Sequence, residues 1–212
     1  MTGHVDAAGS PNAAEDLVRR ARGGSSAAFG ELVARYESPL FNFLLRRTSS
    51  VEDAEEIAQD AFVRAWQKLD SYDARWSFST WLFTLARRLA STRRRSTSPS
   101  GGPSVQGDEA LAGVPVHADP GVDLARTEER ANLWSIADRV LETDQRSALW
   151  LRYAEDLTVA EIAEILGRSS VSVRVMLFRA RAKLGPYLES PHVDSPAGAR
   201  LAKRTQWRKV GT

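Results

Sequence analysis

The chain has 212 residues, 42% of them hydrophobic and 26% charged, with a formal net charge of +2 and no cysteine. The missing cysteine excludes disulfides and thiolate metal sites. No apolar run approaches the ~20 residues of a membrane span, and the N-terminus lacks an apolar signal core. His4, His117 and His192 are scattered through terminal or Pro/Gly-rich stretches, which argues against a histidine-based metal or catalytic cluster. The expectation is a cytoplasmic protein without metal or cofactor.

Residues 1–14 are small and polar and are expected to be disordered. Glu15 to Arg22 predicts a short helix stopped by Gly23-Gly24. Ser25 or Ser26 can cap the next helix by accepting a backbone N–H. Its apolar positions Phe29, Leu32, Val33, Tyr36, Leu40, Phe43 and Leu44 recur at helical spacing, and Pro39 suggests a kink or break. Val51 to Leu69 predicts another helix, with Ala54, Ile57, Ala58, Ala61, Phe62, Ala65 and Leu69 as its apolar stripe. After a loop over Asp70 to Ser77, Thr80 to Arg94 predicts a helix with Leu82, Leu85, Ala86 and Leu89 inward.

Charge flips sign along this stretch. Glu52, Asp53, Glu55, Glu56 and Asp60 come first, with no basic residue between Thr48 and Val63. Trp76, Phe78, Trp81 and Phe83 follow, then Arg87, Arg88, Arg93, Arg94 and Arg95. An acidic face repels a phosphate backbone, whereas cations with flat rings attract one. Taken alone, the acids also read as a solvated face, the arginines as a nonspecific basic patch, and Trp81 and Phe83 as core.

Ser96 to Gly121 turns rich in Ser, Pro, Gly and Val, the composition of a flexible linker. A second helical block then runs to Leu188, and residues 189–212 read as a basic, disordered tail. Within the block, Thr158-Val159-Ala160-Glu161 has the pattern of a capping box. Ile162, Ala163, Ile165 and Leu166 continue the helix, and Gly167 suits a left-handed C-terminal turn. Ser169 or Ser170 can cap the next helix, whose stripe is Val173, Leu177, Ala180 and Leu184. This is the layout of a helix-turn-helix, whose second helix enters the major groove. Arg168, Arg174, Arg179, Arg181 and Lys183 crowd that helix, and no acid interrupts Gly167 to Leu188. A helical hairpin with a solvated basic face is the alternative. With no alternating apolar run, the fold class is all-α: two small helical domains over 15–95 and 126–188, joined by a linker over 96–125.

The order of these features resembles the extracytoplasmic-function (ECF) group of bacterial sigma-70-type RNA polymerase sigma factors. The stretches that carry it are Asp53-Ala54-Glu55-Glu56-Ile57-Ala58-Gln59-Asp60-Ala61-Phe62-Val63-Arg64-Ala65-Trp66, Phe78-Ser79-Thr80-Trp81-Leu82-Phe83 and Leu141 to Leu184. The resemblance implies a non-enzymatic factor that binds core RNA polymerase, recognises the −10 and −35 promoter elements and helps nucleate melting. Asp53, Glu56, Gln59 and Asp60 would dock on the clamp helices of the β′ subunit, and the β subunit would be a further contact. Trp76, Phe78, Arg87, Arg88 and Arg93 would read the −10 element as single strand, with a pocket for a flipped base. Arg168, Ser170, Arg174, Val175, Phe178, Arg179 and Arg181 would read the −35 element. The linker would thread the polymerase channels. Family members are often held by an anti-sigma factor, and the chain would be nucleoid-associated within holoenzyme.

Three positions depart from the family pattern. Arg88 stands where many members carry Asn, with Ser91 near a usual Asp; Val175-Met176 replaces a small-polar and basic pair; and Arg168 replaces an apolar turn residue. A stand-alone helix-turn-helix regulator is the alternative function and predicts tight duplex binding by the free protein. An enzyme reading would gather Mg²⁺ on Asp53, Glu56 and Asp60, but these share one helix and have no His or Lys partner for proton transfer.

Overall fold

The computed structural model describes residues 11–48, 50–97 and 133–188, and every regular element among them is helical. The expected linker from residue 98 on, the basic tail and residues 1–10 lie outside the described residues. Helix α1 spans Pro11–Arg22, starting four residues ahead of Glu15 with proline in its first turn, where the missing N–H costs nothing. Helix α2 spans Ser26–Leu45 and is capped by Ser25, whose hydroxyl accepts the Ala28 N–H at 3.2 Å. It runs through Pro39 without a break, which removes one of the two outcomes the proline suggested. Burial of Leu32, Tyr36, Leu40, Phe43 and Leu44 on both sides of the proline outweighs the lost hydrogen bond.

Helix α3 spans Val51–Gln67, with Ser50 as N-cap and Glu52 and Asp53 in the first turn, where their charge complements the helix dipole. Its buried stripe of Ala54, Ile57, Ala58, Ala61, Phe62 and Ala65 is mostly small, so neighbouring helices approach closely. A 3₁₀ turn, Leu69–Ser71, leads into the loop. The Tyr72 hydroxyl donates to the Trp76 carbonyl at 2.7 Å and fixes the loop's exit. Burial, then the nearby Glu15 and Asp73, pushes that phenol up to about 12. Helix α4 spans Phe78–Thr97 and crosses α2 through Phe43 and Phe83, whose rings meet edge to face at 5.1 Å.

The second bundle contains α5 (residues 133–140), α6 (Thr143–Tyr153), α7 (Val159–Leu166) and α8 (Ser170–Leu188). The predicted capping box is present. Thr158 accepts the Glu161 N–H at 3.3 Å, and Glu161 accepts the Thr158 N–H at 2.9 Å. Gly167 ends α7 at φ +61°, the left-handed region where a side chain is strained. Ser169 rather than Ser170 caps α8, accepting the Ser172 N–H at 3.2 Å. Val173, Leu177, Ala180 and Leu184 turn inward as expected. The two bundles pack together, α4 along α7 and the end of α2 against α6.

Candidate nucleic-acid and polymerase interfaces

On α3, the buried alanine stripe forces the remaining positions outward. Glu52, Glu55, Glu56, Gln59 and Asp60 are exposed and Asp53 is partly so. Two of these acids are already engaged. Arg93 of α4 reaches across to Asp53 at 2.9 Å and to Glu56 at 2.6 Å. The hydrogen bond from Arg93 holds the Glu56 carboxyl below its usual range, and the same contact raises the Arg93 guanidinium. A residue expected at −10 DNA thus sits beside two expected at polymerase. Among the described residues no group of three His, Cys, Asp or Glu side chains could hold a metal ion.

The second surface lies where the loop meets α4. Lys68, Ser71, Trp81, Thr84, Leu85 and Arg88 line a cavity of about 270 Å³. Its chemistry is mixed. Lys68 and Arg88 offer cationic donors and Trp81 a flat wall. The Ser71 and Thr84 hydroxyls donate to the Lys68 and Thr80 carbonyls, which leaves their lone pairs as acceptors. Lys68, Ser71, Thr84 and Leu85 were not among the sequence candidates, because the turn after α3 and the middle of α4 build this wall together only in the fold. Trp81 is half-buried against Tyr72 and Phe78, with centroids 5.5 and 5.8 Å apart, and also faces the cavity. Phe78 corrects the sequence reading. It is only 2% exposed, wedged between Tyr36 and Tyr72, and offers no face for a base to stack on. Trp76 is half-buried, Arg88 is exposed, and Arg87 is half-buried beneath the turn at Gly167. Burial, then the adjacent Arg88, lowers the Arg87 guanidinium from its usual value.

The third surface is the outer face of α8. Arg174, Arg179 and Arg181 are exposed, as are Val171, Val175 and Phe178 at 66%, 41% and 67%. Val175 therefore faces solvent, while its neighbour Met176 packs partly inward. Arg181 donates to the Tyr153 hydroxyl at 3.0 Å. Ser170 opens α8, half-exposed. Arg168 pairs with Asp144 at 2.9 Å, and its side chain stays exposed at the entrance to α8. Burial pushes the Asp144 carboxyl up, but the Arg168 hydrogen bond and the charge of Arg47 outweigh it and leave the carboxyl below its usual range.

A four-helix bundle with an acidic helix beside a cationic, ring-lined cavity, joined to a helix-turn-helix, defines a two-part DNA-binding module. Comparison with known proteins agrees. Residues 32–99 match the family model for Sigma-70 region 2, and residues 139–184 match that for Sigma-70, region 4. The ECF RNA polymerase sigma factor SigW of Bacillus subtilis (strain 168) is 30% identical over 174 residues, covering 79% of this chain and 92% of its own length. RNA polymerase sigma factor CnrH of Cupriavidus metallidurans is 32% identical over 180 residues, covering 82% of this chain and 93% of its own. The solved structure of CnrH with the cytosolic domain of CnrY superposes with a TM-score of 0.57 at 26% identity, over 84% of this chain and 99% of that one. The chain belongs to the ECF group of sigma-70-type RNA polymerase sigma factors, subunits that bind core polymerase and direct it to −10 and −35 promoter elements. That membership favours a polymerase subunit over the stand-alone regulator. Among the described residues no helix is long and apolar enough to cross a membrane.

Proposed function

We propose the following division of labour within this sigma factor. Asp53, Glu56, Gln59 and Asp60 on α3 dock on the β′ clamp helices, because an outward acidic face complements a basic helix pair. The cavity between Lys68, Trp81 and Arg88 receives a base flipped out of the −10 element. Trp76, Arg87 and Arg93 guide the strand beside it. Arg174, Val175, Phe178, Arg179 and Arg181, with Ser170 and Arg168 at the helix entrance, read the −35 element in the major groove. Exposed Val175 and Phe178 favour thymine methyls, and the arginines favour guanine edges or phosphate.

The cavity carries this reading: a space of about 270 Å³ with a ring, two cations and two hydroxyl acceptors suits a nucleobase better than it suits a packing flaw. The factor acts without a catalytic centre of its own, in the cytoplasm and, when bound to polymerase, at the nucleoid. An anti-sigma factor is a further partner, by analogy with the CnrH structure determined with the cytosolic domain of CnrY. The test is co-elution with bacterial core RNA polymerase followed by transcription from a promoter library. Promoter-selective transcripts lost on Trp81→Ala together with Arg88→Ala support the cavity assignment. Selective transcription unaffected by both changes refutes it.

A further inference from the structure

The lining of the cavity on the first bundle sorts by depth and by hydrogen-bonding sense. Trp81, Thr84, Leu85 and Arg88 share one stripe of α4, and Lys68 and Ser71 come from the turn after α3. Thr84 is 6% exposed and forms the floor, whereas Lys68, Ser71 and Arg88 are exposed and form the rim. At about 270 Å³ the space holds a purine as readily as a pyrimidine.

The floor accepts and does not donate. The Thr84 hydroxyl commits its proton to the Thr80 carbonyl at 2.8 Å. Thr80 is itself anchored, fully buried and with its own hydroxyl donating to Glu161 of α7 at 3.2 Å. Ser71 repeats the arrangement at the rim, donating to the Lys68 carbonyl at 2.7 Å. The two cations do the opposite, because a guanidinium and an ammonium only donate. Among the described residues no carboxylate pairs with Lys68 or Arg88, whereas Arg93 is held by Asp53 and Glu56.

This polarity discriminates between bases. A flipped base keeps its sugar at the mouth, so its Watson–Crick edge leads and its outer edge lies along the rim. Guanine and thymine lead with a ring N–H, which the Thr84 oxygen accepts. Adenine and cytosine lead with a bare ring nitrogen, whose lone pair meets that oxygen's own. At the rim guanine offers a keto oxygen and a ring nitrogen side by side, the pair a guanidinium grips with two bonds. Thymine offers one keto oxygen beside a methyl group. Adenine turns an amine toward Arg88, donor against donor.

We propose that this cavity selects a keto base, guanine first and thymine second, and that Arg88 and Thr84 set the choice. The inference rests on the base-pocket reading proposed above and adds to it the identity of the base.

The test uses holoenzyme assembled from the full chain and bacterial core polymerase. Its probes are single-stranded oligonucleotides carrying a −10 sequence recovered from the promoter library, with each of the four bases placed in turn at every position. Competition binding should find one position that prefers guanine about tenfold over adenine and cytosine, with thymine between. Arg88→Asn should bring adenine level with guanine at that position alone, because an amide pairs with adenine's amine and ring nitrogen together. Thr84→Val keeps the shape and removes the acceptor. It should weaken guanine and thymine several-fold and leave adenine and cytosine as they were. Both variants should co-elute with core polymerase as the parent does. A Trp81-dependent position that favours adenine or cytosine, or one whose preference neither variant moves, would overturn the keto assignment and leave the pocket standing. Trp81→Ala without effect at any position would refute the pocket itself, and the base assignment with it.

Discussion

The guanidinium of Arg46 stacks 3.8 Å from the ring centroid of Trp150, although the two residues belong to different bundles. Arg46 is only 6% exposed, and burial lowers its pKa to about 10, which leaves it charged at neutral pH. A desolvated cation over an indole contributes roughly 2 kcal/mol. Arg46→Ala should therefore lower unfolding stability by about 1–2 kcal/mol in a urea titration. Arg46→Lys should recover only part of that, because an ammonium cannot lie flat on two rings.

Gly167→Ala tests a second point of contact between the bundles. The backbone at φ +61° costs an alanine about 1–2 kcal/mol, and its methyl would also press on Arg87. Thermal unfolding should register the loss. Combining it with Arg87→Ala should remove the steric part and leave the backbone part.

Much of this architecture could be read from local pattern. The capping box at Thr158 and Glu161, the turn at Gly167 and the stripe from Val173 to Leu184 are short-range signals, and each appears as expected. Those signals say nothing about which surface a residue faces in the folded chain. Phe78 sits among the aromatic residues expected at DNA, yet Tyr36 and Tyr72 enclose it. Pro39 carries a helix-breaking signal that burial of its neighbours overrides. Arg46, Trp134 and Trp150 have no shared local signature, because the meeting of two bundles defines their contact. The cavity lining escaped because the turn after α3 and the middle of α4 come together only in the folded first bundle.

Charge reversal at the α3 face should separate binding from folding. Glu56 is exposed and Asp53 and Arg93 are half-exposed, so Glu56→Lys with Asp53→Lys should lower the melting temperature only modestly and leave the helical fold intact. Co-elution with core polymerase should be lost. Retained co-elution would move the docking face elsewhere on the bundle.

Acid should weaken the packing of the two bundles on each other. Asp144 has a lowered carboxyl pKa in the folded chain, so its contribution is present above the ordinary value of 3.8 and is lost as pH falls through the lowered value. Arg47 and Arg168 face it directly, and Arg87 adds positive charge nearby. Asp138, raised first by burial, works in the opposite direction, since ionising it disfavours the fold. Unfolding stability in urea, followed from pH 7 toward 3, should fall at the acid end. Asp144→Asn should remove most of that dependence.

At the promoter, Arg174→Ala should cost ~1–3 kcal/mol of discrimination at one −35 base pair if the guanidinium grips a guanine edge. Competition binding with single-base promoter variants reads this directly. A uniform loss across all variants, with a shallower salt dependence, would reassign Arg174 to phosphate.

The two oxygens of Glu161 have a consequence for how the protein acquires its structure. The one facing Thr158 is satisfied by residues three positions away, so α7 can begin to form while the rest of the chain is still unfolded. The one facing Thr80 is satisfied only after α4 has assembled, 81 positions earlier in the chain. A single side chain thereby joins the fastest class of folding event to one of the slowest, and the second bundle inherits part of its final order from the first.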